Sequence, residues 1–196
     1  MKTFLIIMLS MVLIDNLVLS RFLGICSFLG LTKSLKNAMG MSIAVIFVML
    51  VATAVTYPIY WSILEPVNLG YLQTVVFILV IAAVVQVLEA IIRKTFPPLY
   101  NAMGIYLPLI TTNCAILGVM LINIQEAYSF GDAMISSLGA GVGYTLAMFL
   151  FTGVREKMEK ADIPPFFEGL PSTLMAASIV SVSFMGFKGV IENLFG

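Results

Sequence analysis

Histidine is missing from this 196-residue chain, cysteine occurs only twice and tryptophan once. Without histidine, the usual nitrogen ligands of zinc and haem are absent. Charge is scarce as well. Only 10% of residues are Asp, Glu, Lys or Arg, against about a quarter in a soluble domain. The 10 basic and 10 acidic residues cancel to a net charge of zero, so nothing in the composition points to nucleic acid or to an acidic partner.

What fills the chain instead is apolar. Hydrophobic residues make up 61% of it and the mean hydropathy is +1.09. The few charges cluster, leaving uncharged runs at 38–64, 66–88, 95–125, 133–154 and 169–187. Each can cross a hydrocarbon core, which takes about 20 residues and as few as ~17. The N-terminal run is interrupted: residues 3–14 are apolar, Asp15, Asn16 and Arg21 break the pattern, and a second apolar piece follows at 22–31. Read as one discontinuous unit, it brings the expected spans to six. The opening MKTFLIIMLSMVLIDN resembles a signal peptide, but no A-x-A-like cleavage site follows. It reads as a retained first helix. The expected fold is an all-α integral membrane protein, a single transmembrane domain over 1–196 with the lipid bilayer as its surroundings.

Lysine and arginine set the expected orientation. Arg21, Lys33 and Lys36 lie between segments 1 and 2, Arg93 and Lys94 between 3 and 4, and Arg155, Lys157 and Lys160 between 5 and 6. The alternate loops hold Glu65, Glu126 and Asp132 without a basic residue. Short loops rich in Lys and Arg stay in the cytoplasm. Both termini are therefore expected on the non-cytoplasmic side, with only Lys2 and Lys188 against. Tyr57, Tyr60 and Trp61 suit an interfacial aromatic belt at the outer end of segment 2.

Both cysteines sit in one five-residue phrase, CSFLG at 26–30 and CAILG at 114–118. Aligning Cys26 with Cys114 gives each half three spans, repeat 1 over about 1–94 and repeat 2 over about 95–196. An odd number of spans makes the second half enter from the opposite face, an inverted-topology repeat. Both phrases follow interrupted spans. In IYLPLITTNCAILG, Pro108 removes a backbone bond in mid-helix, and Thr111, Thr112 and Asn113 can satisfy the freed groups. Helices 1 and 4 are thus expected to be discontinuous, and the two phrases to meet near the midplane. Broken helices in matching positions point to a site at the repeat interface.

A single membrane cysteine is usually an inert small hydrophobe. A disulfide would gain this pair little deep in the bilayer. A four-thiolate iron–sulfur cluster would need two cysteines from a second subunit. Glycines at 24, 30 and 118 would let backbone approach the inorganic sulfurs without a Cβ in the way. The same architecture, inverted repeats with broken helices, also serves small secondary transporters.

FLGICSFLG, FPPLYNAMGIYLPLITTNCAILGV and GAGVGYTLAMFLFTGVREKMEKADIPPFFEG together resemble the A-type membrane subunits of the Rnf complex. That complex is the ion-translocating ferredoxin:NAD oxidoreductase of bacterial membranes. The resemblance runs over essentially the whole chain and extends to the E-type subunit of the sodium-translocating NADH:quinone oxidoreductase. It implies a bacterial inner-membrane protein paired with a paralogous six-helix subunit of opposite topology. Cys26 and Cys114 would hold half of a [2Fe–2S] cluster and the paralogue's two cysteines the rest. Electrons would arrive from iron–sulfur clusters of a cytoplasmic-side subunit and leave to a flavin on the outer side, coupled to Na⁺ or H⁺ movement. Thr112 and Asn113, with Gly24, Gly30 and Gly118, are candidates for contacts to the cluster.

Intramembrane acids are functional candidates by default. Asp15 is the candidate for the ion path, weighed against a capping role at the helix break. Glu89 reads as the i,i+4 partner of Arg93. GAGVG at 139–143 lacks the lysine of a phosphate loop and reads as close helix packing. The polar stretch 155–169 reads as a cytoplasmic loop facing neighbouring subunits.

Overall fold

The computed structural model describes residues 7–32, 34–66, 70–95, 107–164 and 166–195. These are helix and turn, with no strand among the described residues. A π-helical turn, Ser10–Ile14, leads through turns to α1 (Ile25–Leu31). Then follow α2 (Leu35–Ile59), α3 (Gln73–Thr95), α4 (Leu107–Thr111), α5 (Cys114–Gln125), α6 (Phe130–Glu159) and α7 (Leu170–Phe195). Leu35–Leu64, Gln73–Ile91 and Phe130–Glu159 are long and apolar enough to cross a membrane, and Leu109–Gln125 and Leu170–Gly186 are shorter apolar helices. Lys2, Lys33 and the FPPLYNAMG stretch lie outside the described residues.

Helices α2 and α6 form the centre and pack along one another. Between helices in lipid there is little hydrophobic drive, so close approach by small residues and buried hydrogen bonds must hold them. Helix α6 supplies both. A Cβ added at Gly141 would lie 2.7 Å from Cγ1 of Ile46 on α2. At Gly143 it would lie 2.9 Å from the Met11 carbonyl oxygen and 3.1 Å from Val12 Cα. GAGVG is therefore a packing surface for two neighbours, α2 on one side and the first segment on the other. Ser137 and Thr53 join α6 to α2 through hydroxyls 2.6 Å apart. Helix α3 is peripheral and exposes Val75, Ile78, Leu79 and Val87, as α7 exposes Ile179 and Val182. Such faces suit hydrocarbon rather than water.

Local sequence sets where the elements begin and break. Helix α2 passes Pro58, which has no N–H to give, and continues as a π-helical turn over Tyr60–Leu64. Tyr57 meets Trp61 and Phe130 there, with ring centroids 6.2 and 5.4 Å away. Ser129 caps α6 by accepting the Asp132 N–H, and Asp132 sits in the first turn where the helix dipole favours a negative charge.

The described break before Cys114 lies on the cysteine side of its proline. Pro108 lies within α4, whose described residues begin at Leu107. The interruption falls at Thr112–Asn113, four residues further on.

Candidate functional site

Two short helices start at this site, each with a cysteine in its first turn. Cys26 is the second residue of α1 and Cys114 the first of α5. Asn113 caps α5, its Oδ1 accepting the Ala115 N–H at 3.0 Å. Gly24 caps α1 in the left-handed region, at φ 92°, a conformation that L side chains resist by about 1–2 kcal/mol. A Cβ at Gly24 would also lie 3.1 Å from the Ala115 Cβ and 3.2 Å from Tyr144 Cε2. Glycine is needed here for both reasons.

That conformation aims the Gly24 N–H at Cys114: it donates to Sγ across 2.8 Å, linking residues 90 apart. Beneath lies a buried polar network. Asn113 Nδ2 donates to Ser27 Oγ at 3.3 Å, Ser27 donates to the Gly24 carbonyl at 3.0 Å, and the Tyr144 hydroxyl lies 2.8 Å from Ser27 Oγ. Both cysteines lie within electrostatic reach of that hydroxyl. Cys26 is exposed and Cys114 partly so, and neither is in a disulfide.

The candidate residues fare differently around these thiols. Gly24 and Asn113 belong to the cysteine loops' own bonding. Thr112 is exposed beside them. Gly118 faces inward, where a Cβ would collide with Leu23 Cδ1, so its small size serves the packing of the first loop. Gly30 is exposed and a Cβ there meets nothing within 4 Å. Among the described residues Gly30 answers no steric need.

The capping role weighed for Asp15 falls to its neighbour. The cap at the first break is Asn16, fully buried, whose Oδ1 accepts the Val18 and Leu19 N–H groups at 3.1 and 3.3 Å. Its Nδ2 donates to the Gly143 carbonyl at 2.9 Å, fastening the break to α6. Asp15 instead pairs with Arg21 at 3.0 Å and accepts from Ser10. Burial first, then the charges of Glu126, Asp15 and Asp132, push the Tyr128 phenol above its ordinary range.

Sequence reasoning missed Ser27 and Tyr144. Ser27 stands inside the phrase already singled out, but its counterpart in the second phrase is Ala115, so the repeat gave it no emphasis. Tyr144 lies in an apolar run, and a lone tyrosine there carries no spacing signal.

The donor set suits half of an iron–sulfur site. Among the described residues no group of three His, Cys, Asp or Glu comes together, so two thiols are what this chain brings. A backbone N–H already reaches one sulfur, the type of contact that tunes such clusters. The exposed Cys26 leaves its sulfur open to a neighbouring chain.

Known proteins agree on the family. Residues 4–191 match the family model described as Rnf-Nqr subunit, membrane protein. The chain is 52% identical over 188 residues to the A-type subunit of the Na(+)-translocating ferredoxin:NAD(+) oxidoreductase complex of Acetobacterium woodii, covering 96% of this chain and 98% of that one. It is 48% identical over 193 residues to the A-type subunit of the ion-translocating oxidoreductase complex of Syntrophotalea carbinolica, covering 98% and 100%. Against the protein of the same description in Vibrio vulnificus the identity is 45% over 192 residues, with the same coverage. Family match and several apolar helices make this a multi-pass membrane protein, and the chain belongs to the Rnf-Nqr family of membrane subunits.

Proposed function

We propose that this chain is a membrane component of an ion-translocating ferredoxin:NAD oxidoreductase, with Cys26 and Cys114 supplying two of the four thiolates for a [2Fe–2S] cluster. A paralogous six-helix subunit supplies the other two, and further subunits bring additional clusters and flavins. When bound, the cluster accepts and releases one electron at a time. The chain's own part is to hold two sulfurs at the starts of α1 and α5, to direct the Gly24 N–H at one of them, and to keep water out beneath with Ser27, Asn113 and Tyr144. It has no activity alone, because it holds half of a cofactor. Six spans in two inverted repeats, a bacterial inner-membrane location and termini on the non-cytoplasmic side complete the reading. Coupling is to Na⁺ or H⁺.

The observation that carries it is the contact from the first cysteine loop to the second cysteine, Gly24 N–H to Cys114 Sγ. A transporter has no need of that contact between thiol-bearing loops. The relatives named for ferredoxin:NAD and ion-translocating oxidoreductases favour this complex over the quinone-reductase relative. The test is ferredoxin-dependent NAD reduction by membranes carrying Cys26→Ser or Cys114→Ser. Each variant should assemble and lose the activity. Full activity in an assembled double variant would refute the assignment.

A further inference from the structure

Tyr144 is fully buried halfway along α6. A buried phenol is costly unless its hydroxyl is paired, and phenylalanine would fill nearly the same space. Its hydroxyl is paired with the cysteine loops, through Ser27 Oγ at 2.8 Å. Proton counting fixes the direction. Ser27 has one hydrogen, and it goes to the Gly24 carbonyl at 3.0 Å. Tyr144 must then donate to Ser27, which also accepts from Asn113 Nδ2. The chain of bonds runs from Tyr144 through Ser27 to Gly24, with the Asn113 cap of α5 tied in from the side. The Tyr144 ring flanks the Gly24 Cα, where a Cβ would come within 3.2 Å of Cε2. The Gly24 residue is thus held at its carbonyl by Ser27 together with the Phe28 N–H at 3.1 Å, and at its Cα by the ring, while its N–H meets Cys114 Sγ.

We propose that Tyr144 is a positioning residue for the redox site: its hydroxyl, acting through Ser27, keeps the Gly24 N–H aimed at the Cys114 sulfur and so raises the reduction potential there. The inference rests on the cluster assignment above. An N–H bond to a ligand sulfur favours the more electron-rich, reduced state, so loosening it lowers the potential.

The test is a potentiometric titration of the intact complex, following by electron paramagnetic resonance the signal that Cys114→Ser removes. Tyr144→Phe should retain that signal and move its midpoint to lower potential. Ser27→Ala should move it the same way, and the double variant should add little to Ser27→Ala, because both act along one path. Ser27→Ala is the smaller change and decides the matter where Tyr144→Phe fails to assemble. Midpoints that superimpose on the unmodified complex, or additive shifts, would overturn the proposal while leaving the cluster in place. If Cys114→Ser removes no signal from an assembled complex, the cluster assignment itself fails, and the proposal with it.

Discussion

The backbone N–H of Gly24 reaches the Sγ of Cys114 at 2.8 Å, so the loop that precedes one cysteine is a hydrogen-bond donor to the other. The contact depends on a left-handed residue at position 24 and on the Asn113 cap that starts α5 at the second cysteine. Much of what the site can do follows from this arrangement.

Gly24→Ala should damage it twice, through the φ of 92° and through crowding against Ala115 and Tyr144. The backbone strain alone is worth about 1–2 kcal/mol. Thermal unfolding of the detergent-solubilised complex should shift downward, and the potential of the cluster signal should change as well.

The two glycines of the Cys-x-x-Leu-Gly phrases should respond in opposite ways. Gly118→Val drives a side chain into Leu23, and overpacking of this kind costs about 1–3 kcal/mol. At Gly30 an added Cβ meets nothing within 4 Å among the described residues. With Gly30→Val the isolated protein should melt unchanged, while co-purification with the partner subunits should fall if Gly30 faces one of them. Fluorescence-detected size exclusion with and without heating reads both effects.

Cys26 is exposed and Cys114 only partly so, with a donor on its sulfur. In the isolated, solubilised chain a maleimide should therefore modify Cys26 first, as peptide mass spectrometry would show. In the assembled complex both should be protected. Equal labelling of Cys26 in the two states would contradict a shared site.

At the first break, Asn16→Ala should be far more harmful than Asp15→Asn. The first strips the buried N–H groups of Val18 and Leu19 of their acceptor, each such loss costing about 1–3 kcal/mol, and removes the tie to the Gly143 carbonyl. The second removes a partly exposed ion pair with Arg21. An ion-path role for Asp15 requires that Asp15→Asn abolish cation uptake into vesicles while electron transfer to NAD persists. The pairing with Arg21 predicts that uptake survives.

How much of this was legible in the sequence depended on what kind of signal each residue carried. The apolar runs announced the long helices, and α2, α3 and α6 lie on them, with α3 shifted towards the C-terminus at both ends and α6 carrying a longer tail. Glycine spacing announced the packing face of α6. Polar residues inside apolar runs announced that helices break near Asp15 and Asn113, but not which neighbour turns inward. Asp15 and Asn16 are adjacent, and only the approach of Gly143 decides that the amide is the buried one. Pro108 drew attention as a helix breaker, and the polar cap at Asn113, five residues on, marks the start of α5. Ser27 and Tyr144 became visible only in three dimensions, because their link spans 117 positions and rests on α6 crossing the cysteine loops.

The measurement to make first is electron paramagnetic resonance on the purified, dithionite-reduced complex, with and without Cys114→Ser. Other clusters in the complex contribute signals, so the comparison is a difference spectrum. One [2Fe–2S] signal should vanish in the variant while the rest persist. An unchanged set of signals from an assembled complex would mean that these two cysteines hold no cluster, and would return the chain to the class of small inverted-repeat transporters.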